Sequence, residues 1–513
     1  MTRFDCAPPW LVRAAIVAAI AAVALWVHLY EFGDAAQYDA GLFLAIGKLL
    51  QRDLLLYRDL WDTKPPGIYL YQSAVFTLLP TEVWSLRLAD YLLYVAGGVL
   101  FYRLCALEAG RELGVVASAV WLYWAHHPDF NMGGFYTEEY SAIAAVAAVA
   151  AAAHYWRAGR LRWVAASGVG AAAAVLFKHP GAACVVPAVV LISGRRASRA
   201  LPLFGFAAVL PLLLVVAYFW RHHAVDALLD CQLFHLLAQH VVTEPGAAAA
   251  GARARQLAQQ LATPLVAHPL YFIPAAIGVA VVVLRPNRLR IAALSWLAAD
   301  IVLLALQRYY FEHYFIQLFP SLILLSAIGA AAVLQARASD RMAVRVARVA
   351  LGACAIALAV PALANVVAQR HPLVAANWFV LVHDRTAWPR QPGSAFETVL
   401  GRYLREHTAP DDRVFIVESG SVVAAYWTAD RLPASRYIFA TQVEASVDRQ
   451  REQLAELNRS RPAYVVVVDR PVPPYLSGWL EPNYHREAIQ RLYDLRADLW
   501  VRNDHRPTTD EGR

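Results

Sequence analysis

The chain has 513 residues, of which 59% are hydrophobic and only 17% are charged, and its mean hydropathy is +0.41. Soluble domains carry about 25% charged residues, so this composition excludes an ordinary soluble protein. It indicates a membrane protein that crosses the bilayer several times. The formal net charge is +7. Because the arginines fall between apolar runs, they indicate cytoplasmic loops and not nucleic-acid binding.

The first apolar run, 10–30, predicts a retained membrane helix. Its apolar stretch is longer than the roughly 7–15 residues of a signal-peptide core, and its end, LYEFGD, is not a small-residue cleavage site. The five cysteines contain no Cys-x-x-Cys motif, and their odd number argues against a disulfide framework. Cys105, Cys184 and Cys354 lie in apolar runs and are expected to be small core residues.

Arginine clusters divide the following sequence into apolar segments that cross the membrane outward and back. The predicted pairs are 113–127 with 138–156, 163–178 with 179–193, 201–220 with 265–284, and 291–306 with 313–334; a last outward helix follows at 347–368. One crossing must return the chain to Arg103 after the first helix. We assign that crossing to 86–106 and interpret 67–80, which is short and tyrosine-rich, as an interfacial or re-entrant helix. The predicted total is about 11 spans.

This topology predicts two domains. Residues 1–370 form a multi-span domain with a large first outer loop at 31–85, and residues 371–513 form a domain outside the cytoplasm. The tail alternates strand-like and helical patterns; the strands are predicted at 413–419, 435–440 and 463–469, and the helices at 396–408 and 447–460. Such alternation favours a small α/β domain with a largely parallel sheet.

Two ionisable residues of the first outer loop stand out by position. Asp34 follows the first predicted span closely, so we expect it to be buried against the helix bundle. Lys64 directly precedes Pro65-Pro66, which restrict the backbone and prevent a continuous helix. A lysine fixed on a rigid turn at the lipid headgroup level is a suitable partner for a phosphate. We interpret the other charges of this loop as solvated surface groups; they are Asp39, Asp53, Asp59, Arg52 and Arg58.

Adjacent carboxylates begin the apolar segment 138–156. Glu138 and Glu139 follow Thr137, a suitable helix cap, and acidic residues are favoured at helix N-termini by the helix dipole. Carboxylates at the edge of a membrane span also carry a desolvation cost, which makes them functional candidates. Both interpretations stay open for Glu138, and Glu139 is the weaker candidate.

Cationic residues occupy two further turns. Lys178 and His179 separate two apolar runs, where they form either a charged hairpin turn or a second cation near a lipid phosphate. Arg308 and His313 flank aromatic residues typical of a membrane interface and are candidate ligands for an anionic headgroup. Residue types that bind metals also lie close together at His126, His127 and Asp129. Their spacing does not match that of a closed metal site.

The order of these residues resembles the GT-C membrane glycosyltransferases. Asp34-x-x-x-Tyr38 is followed by YRDLWDTKPPGIY at 57–69, by RLAD at 87–90 and by TEEY at 137–140. The resemblance is to the protein O-mannosyltransferase-like and lipid A aminoarabinose transferase-like group, of the glycosyltransferase family 39 type. It covers nearly the whole chain, since HYFIQLFPSLILL at 313–325 resembles the family's late helix and the tail resembles its outer soluble domain.

This resemblance implies a GT-C fold of about 11–13 spans in a bacterial-type cytoplasmic membrane. It implies transfer of a sugar from a polyprenyl-phosphate donor to a lipid, glycan or protein hydroxyl on the outer face. Asp34 matches the family's catalytic aspartate, Glu138 its second acid, and Lys64 its phosphate-contacting lysine; Tyr38 and Glu139 are supporting residues. The family often has Asp-Glu where this chain has Asp34-Ala35, so one carboxylate is missing.

The residues fit this chemistry. A lipid phosphate is a good leaving group, so the site must mainly stabilise its charge, which Lys64 can do. The further candidates for the donor phosphate are Lys178, Arg308 and His313. The acceptor hydroxyl needs a general base or an orienting carboxylate, the role assigned to Asp34. No cofactor is required by these residues, although Asp34 and Glu138 offer a carboxylate pair for a divalent metal. The resemblance implies inversion at the anomeric carbon.

The runner-up hypothesis is a transporter or flippase of lipid-linked sugars. It explains the spans, but it explains less well the Lys-Pro-Pro loop and the folded tail, and the sequence shows no convincing internal repeat. A third hypothesis is an assembly protein whose tail binds cell-wall partners. The predicted partners of the favoured enzyme are a polyprenyl-phosphate sugar, an envelope acceptor and membrane lipids, without nucleic acid.

Overall fold

The computed structural model describes residues 8–36, 39–131, 133–194, 196–234, 251, 255, 258–259, 269–307, 311–335, 368, 370–417, 421–439, 441–444, 446–492 and 495–505. In these residues the chain forms an apolar helical bundle followed by a small α/β unit, as the sequence predicts. The protein is therefore a polytopic membrane protein with a C-terminal α/β unit.

Apolar segments of the first 335 residues fold into helices. These are α1 (Pro9–Glu31), α2 (Asp39–Leu49), α3 (Gly67–Leu78), α4 (Val83–Ala109), α5 (Arg111–Ala125), α6 (Thr137–Ala158), α7 (Arg162–Phe177), α8 (Val185–Ile192), α9 (Ala197–Arg221), α10 (Val225–Leu229), α11 (Pro269–Leu284), α12 (Arg288–Ala305) and α13 (Phe319–Gln335). Short 3-10 segments, His179–Cys184 and Glu312–Leu318, lead into α8 and α13. The predicted segments agree with these bounds within a few residues. Most of the predicted helix 347–368 lies outside the described residues.

Within the described part of the chain, four helical segments are long and apolar enough to cross a membrane; they are Pro9–Glu31, Val83–Ala109, Ala197–Arg221 and Glu312–Gln335. Helix α3 has 12 residues, so it is about 18 Å long and shorter than the roughly 30 Å hydrocarbon core. Its length agrees with an interfacial or re-entrant helix. The count of about 11 spans stays a prediction.

Helix α6 forms the centre of the bundle. It is rich in alanine and buried along most of its length, and it packs against α4, α7 and α8. Small side chains allow neighbouring helix backbones to approach closely. This packing favours helix association in a membrane, where the hydrophobic effect contributes little. The site residues Glu138 and Glu139 stand at the N-terminal end of this central helix, and the surrounding helices bury both.

The tail forms one helix, α14 (His371–His383), that packs against α1 of the bundle, and a five-stranded sheet with further helices. The further helices are α15 (Ala395–His407), α16 (Ala425–Ala429), α17 (Thr441–Glu444), α18 (Val447–Ser460) and α19 (Pro474–Asn483); the strands are β1 (Arg413–Val417), β2 (Leu432–Pro433), β3 (Tyr464–Val468), β4 (Tyr484–Leu492) and β5 (Leu495–Arg502). The strand order is β2-β1-β3-β5-β4. Strand β3 is buried on both faces, which explains its run of four valines.

Two features of the predicted sheet were wrong. Strand β1 is parallel to β2 and β3, but β5 is antiparallel to β3 and β4, so the sheet is mixed. The sequence analysis missed this last hairpin, although β5 alternates buried and partly buried residues. The described part of the predicted strand 435–440 is not a strand. Its backbone is held by the Ser435 hydroxyl, which accepts from the Tyr437 amide at 3.1 Å and donates to Glu456.

The C-terminal unit shares its hydrophobic core with the first loop, defined as residues 32–66. Side chains of α2 and Trp61 belong to the same cluster as side chains of α15, β1 and β3. The Trp61 amide donates to the Arg436 carbonyl at 2.9 Å, and its indole nitrogen donates to Asp230 at 3.0 Å. The tail therefore supports the loop that carries Lys64.

Replacing Arg431 with methionine should destabilise the C-terminal unit locally. Arg431 is 6% exposed, and its guanidinium donates to the Arg405 carbonyl at 2.9 Å and the Thr408 carbonyl at 2.6 Å. Loss of these donors leaves buried carbonyls unpaired at the end of α15, at a cost of about 2–4 kcal/mol. Hydrogen exchange of the α15 amides in the full-length protein measures this loss.

The matched control is Arg451→Met. Arg451 is exposed, and among the described residues its ion-pair partner is Asp448 on the same helix, so its loss should cost less than about 0.5 kcal/mol. Equal protection of the α15 amides in the two variants would show that Arg431 does not hold this end of the helix.

Candidate active site

Lys64 lies against a carboxylate of the same loop. Its Nζ is 2.8 Å from Asp39 Oδ2, and the two side chains are 23% and 29% exposed. The ammonium also lies 5.6 Å from the centroid of the Phe43 ring. Burial lowers the pKa of Lys64, but the interactions with Asp39, Tyr314 and Asp62 together outweigh burial and raise the pKa overall. The interpretation of Asp39 as an ordinary solvated charge was wrong, because it neutralises the lysine.

The backbone at Lys64 is fixed from two sides. Its carbonyl oxygen accepts hydrogen bonds from the Tyr57 hydroxyl at 2.8 Å and from Gln232 Nε2 at 2.9 Å. Its amide donates to the Asp62 carboxylate at 3.3 Å, which also accepts from the Tyr69 hydroxyl. Tyr57 adopts a left-handed φ of 69°, a conformation that a tyrosine keeps only where its surroundings enforce it. The position of the lysine is therefore determined before any ligand binds.

Close packing between α3 and α7 explains why the residue after Lys-Pro-Pro is a glycine, Gly67. A Cβ at this position would lie 2.5 Å from the Leu176 carbonyl oxygen and 2.9 Å from the Phe177 amide nitrogen. Only glycine allows the start of α3 to approach the end of α7 this closely. The end of α7 is followed directly by Lys178, so the contact brings the loops of the two lysines together.

Lys178, Glu138 and His313 form a second cluster at the top of α6. The Lys178 ammonium forms an ion pair with Glu138 Oε1, and His313 Nε2 lies 3.6 Å from the same oxygen. The lysine also lies 3.4 Å from the centroid of the Tyr314 ring, and Tyr136 stacks on His313 with centroids 4.5 Å apart. The Lys178 and Glu138 side chains are 8% and 2% exposed. A carboxylate and a lysine so deeply buried must be paired to remain charged.

The segments of this cluster are tied to one another. Gln317 Nε2 donates to the Pro180 carbonyl at 2.5 Å and thus connects the turn after α7 with the segment that carries His313. The Ser141 hydroxyl donates to the Ala174 carbonyl at 3.0 Å and connects α6 with α7. Three sequence-predicted residues thus meet because hydrogen bonds connect three chain segments that are distant in sequence.

The two lysine clusters form one electrostatic site. Burial raises the pKa of Asp39, but the Lys64 charge, their hydrogen bond and the charges of His313 and Lys178 lower it overall. Cations of both clusters therefore lie close enough to lower the pKa of Asp39. Among the described residues, no group of three or more His, Cys, Asp or Glu side chains has an arrangement that would hold a metal ion.

Asp34 lies at the start of the first loop, where hydrogen bonds hold the backbone. Its amide donates to the Glu31 carbonyl at 3.0 Å. Arg87 Nη2 donates to the Gly133 carbonyl at 2.8 Å and lies 3.3 Å from the Asp34 carbonyl. Gly133 has a φ of +84°, and a Cβ there would lie 2.5 Å from the Ala35 carbonyl oxygen. The first loop therefore packs directly on the loop that leads to Glu138.

The Asp34 carboxylate differs from its neighbours in having no partner in the described part of the protein. The expectation that Asp34 is buried was wrong, because its side chain is exposed. The surrounding protein still removes enough water to raise the pKa of Asp34, and the positive charge of Arg87 offsets this only partly. Asp34 is thus a carboxylate open to a ligand, whereas Asp39 and Glu138 are held by lysines.

Glu139 has a structural role. One of its carboxylate oxygens accepts from the Tyr136 amide at 2.9 Å and the other from the Tyr94 hydroxyl. The bond from the Tyr136 amide belongs to a capping box at the start of α6, and the bond from Tyr94 ties this helix end to α4. Since both oxygens are used within the protein and the residue is 3% exposed, we assign it to the helix end and leave Glu138 as the acid of the site.

Other candidates do not join the cluster or are not described. Arg308 and Tyr38 lie outside the described residues. The Nδ1 atom of the buried His126 lies 2.8 Å from the Leu122 carbonyl oxygen, and His127 Nδ1 lies 3.6 Å from Asp129 Oδ2. The sequence analysis also overlooked the tyrosines that hold the lysine loops, because a tyrosine near a membrane interface is too common to be a signal.

Comparisons with known proteins support the fold. No protein-family model and no curated protein matches the sequence. The apo structure of ArnT from Cupriavidus metallidurans matches with a TM-score of 0.59 and 16% identity over 96% of this chain and 98% of ArnT. ArnT bound to undecaprenyl phosphate matches with a TM-score of 0.55 and 14% identity over 95% and 97% of the two chains.

A more distant match is an oligosaccharyltransferase from Archaeoglobus fulgidus. Its TM-score is 0.53 and its identity 12%, over 88% of this chain and 67% of the oligosaccharyltransferase. The chain therefore has the GT-C fold of these membrane glycosyltransferases, and the fold predicted from the sequence is confirmed.

Gly67→Ala should destabilise the protein, because its methyl group collides with the backbone of α7. The expected cost is about 1–3 kcal/mol. Gly205→Ala is the matched control, since a Cβ at this position in α9 meets nothing within 4 Å and alanine favours a helix by up to about 1 kcal/mol. Thermal unfolding midpoints in one detergent should fall for the first variant only; equal midpoints would contradict the close approach of α3 and α7.

Proposed function

We propose that the protein is a glycosyltransferase that uses a polyprenyl-phosphate-linked sugar as donor and an envelope lipid, glycan or protein hydroxyl as acceptor. The reaction takes place on the outer face of a bacterial-type cytoplasmic membrane, where the C-terminal unit also lies. The observation that carries this proposal is the meeting of Lys64 and Lys178 in a GT-C fold, together with an uncommitted carboxylate, Asp34, at the start of the loop that packs on the segment leading to Glu138. The structure of ArnT with undecaprenyl phosphate supports a lipid phosphate as the group that binds.

In this proposal Lys64 and Lys178 bind the donor phosphate. Each lysine is now neutralised by a carboxylate, Asp39 or Glu138, so the phosphate competes with these acids for the ammonium groups. A sugar phosphodiester carries one negative charge, and the polyprenyl phosphate that leaves carries more at neutral pH. The lysines therefore stabilise the departing phosphate more strongly than the bound donor, which is the condition for lowering the barrier.

Asp34 acts on the acceptor. The acceptor oxygen forms a bond to the anomeric carbon while the bond from that carbon to the phosphate oxygen breaks, and its electron pair stays with the polyprenyl phosphate. The hydroxyl proton passes to the Asp34 carboxylate. Asp39 and Glu138 are poor bases because lysines hold their charge, whereas the raised pKa of Asp34 makes it a stronger base than an ordinary aspartate. Glu138 then positions Lys178, and no cofactor is assigned.

The alternative is a transporter or flippase that moves the lipid-linked sugar without cleaving it. It needs no open carboxylate beside the phosphate-binding lysines, so the geometry favours it less. The two functions differ in product: only the transferase releases polyprenyl phosphate.

Asp34→Asn should abolish sugar transfer without unfolding the protein. Full-length protein in proteoliposomes is given a panel of undecaprenyl-phosphate sugars and an envelope extract, and the release of undecaprenyl phosphate is measured. Loss of the base should lower the rate about 10²–10⁴-fold. Asp53→Asn is the control in the same loop, because Asp53 is exposed and its left-handed φ of 58° suits asparagine.

The pH profile should agree with this role. Asp34 must be deprotonated to accept the proton, so transfer should rise with pH through a pKa above the usual range of an aspartate. Unchanged transfer in Asp34→Asn would reject this assignment. Movement of intact donor across the bilayer without release of undecaprenyl phosphate would favour the transporter.

Lys178→Met should destabilise the protein strongly, because Glu138 would remain buried without its partner. The expected cost is about 3–5 kcal/mol. The double variant Lys178→Met/Glu138→Gln removes both charges and should recover most of the unfolding midpoint. It should still transfer sugar poorly, since a cation for the phosphate is missing; normal transfer by the stable double variant would remove Lys178 from the proposed site.

A further inference from the structure

A polar cavity separate from the two lysine clusters lies where the first loop meets the edge of the C-terminal sheet. Its volume is about 380 Å³, and its charged lining consists of Arg58, Asp59, Arg413, Arg436, Glu456 and Arg459. A cavity of this size is large enough for a small polar ligand. Four arginines face two carboxylates, so the walls carry an excess of positive charge.

Both carboxylates of this cavity are already engaged. Asp59 accepts from Arg58 at 3.0 and 2.8 Å and from the Leu55 amide at 2.7 Å. One oxygen of Glu456 accepts from the Ser435 hydroxyl at 2.6 Å and from the backbone amide of the next residue at 2.9 Å. The other oxygen of Glu456 lies 4.0 Å from Arg436 Nε, so Arg413 and Arg459 are the lining arginines that form an ion pair with neither acid.

Arg413 and Arg459 keep donors for a ligand. Arg413 uses Nη1 to bond the Pro433 carbonyl at 2.9 Å. Arg436 is engaged within the protein, because its Nη2 lies 3.0 Å from Glu452 Oε1 and donates to the Tyr437 hydroxyl at 2.8 Å. Arg459 is exposed and has no hydrogen-bond or ion-pair partner among the described residues. Arginine side chains with unused N–H donors bind carboxylate and phosphate oxygens well.

The cavity is connected to the proposed active site through the backbone. The Arg436 carbonyl accepts from the Trp61 amide at 2.9 Å, and the Trp61 ring lies 5.7 Å from the Tyr437 ring. Trp61 begins the Trp-Asp-Thr-Lys sequence that ends at Lys64. A ligand in the cavity would therefore contact the same loop that presents Lys64 to the donor.

We propose that this cavity binds an acidic saccharide of the acceptor, a sugar unit that carries a carboxylate or a phosphate. This inference rests on the proposed function, because it assigns the bound sugar to the acceptor. The arginines bind the anionic group, and the lone pairs that Asp59 and Glu456 retain accept from sugar hydroxyls. An inorganic phosphate would fill little of the volume, and the apolar lining is limited to Leu54, Pro433 and Ala434, too little for an acyl chain.

Binding of defined sugars to the full-length protein tests this inference. Titration calorimetry in detergent, without donor, compares digalacturonate and mannose 6-phosphate with digalactose and inorganic phosphate. We expect at least one acidic sugar to bind more tightly than both other probes, with an affinity that falls as salt rises. Equal binding of digalactose, or binding of inorganic phosphate alone, would overturn the proposal.

Substitutions in helix α18 test whether the acidic sugar binds in the cavity. Arg459→Gln should weaken binding of the acidic sugar about tenfold, as expected for one charge-assisted hydrogen bond, and Arg459→Glu should weaken it further. Arg451→Glu is the control, since Arg451 lies on the same helix, is exposed and does not line the cavity. Unchanged binding in Arg459→Glu, or equal loss in Arg451→Glu, would contradict the assignment.

The test of the cavity can fail independently of the test of the proposed transferase function. Binding is also measured in Asp34→Asn, which should bind the acidic sugar normally because it alters no residue of the cavity. Transfer by the wild type without sugar binding at the cavity would reject only the cavity. Sugar binding without any release of undecaprenyl phosphate would reject only the transferase.

Discussion

The need to pair buried lysines at the end of an apolar bundle organises the site. An ammonium group as buried as Lys178 keeps its charge only beside a carboxylate, and Glu138 stands at the start of the central helix to provide one. Lys64 meets the same need through Asp39. The Lys178–Glu138 pair joins segments from distant parts of the chain, and the glycine contact between α3 and α7 brings this pair close to the loop of Lys64.

The C-terminal unit is part of this arrangement and not an appendage. The first loop is too long and too polar to hold its shape on a membrane surface alone. It shares a hydrophobic core with the sheet unit, and Trp61 is bonded to the backbone at Arg436. The cost of ordering the loop is thereby met by tertiary packing, which leaves Lys64 in place before a ligand arrives.

Much of the fold was predictable from the sequence, because apolar runs and arginine clusters report directly on membrane helices. The rigid turn at Lys64 was predictable too, since it is marked by Pro65-Pro66, but the burial of Lys178 against Glu138 was not. The ion pair of Asp39 was not, because its partner depends on how α2 turns back over the loop. The exposure of Asp34 and the antiparallel hairpin at β4 and β5 likewise depend on contacts between segments distant in sequence, which local patterns do not contain.

Charge balance indicates how the proposed site would respond to its donor. Lys64 and Lys178 balance Asp39 and Glu138, so the described cluster is neutral while His313 is uncharged. A phosphodiester would make it negative, and the leaving polyprenyl phosphate more so. Within the described cluster, compensation would have to come from a proton, either on a displaced carboxylate or on His313, which lies 3.6 Å from Glu138. In the proposed mechanism, donor binding would therefore be coupled to protonation near Glu138, while Asp34, which is open and outside both ion pairs, would act on the acceptor.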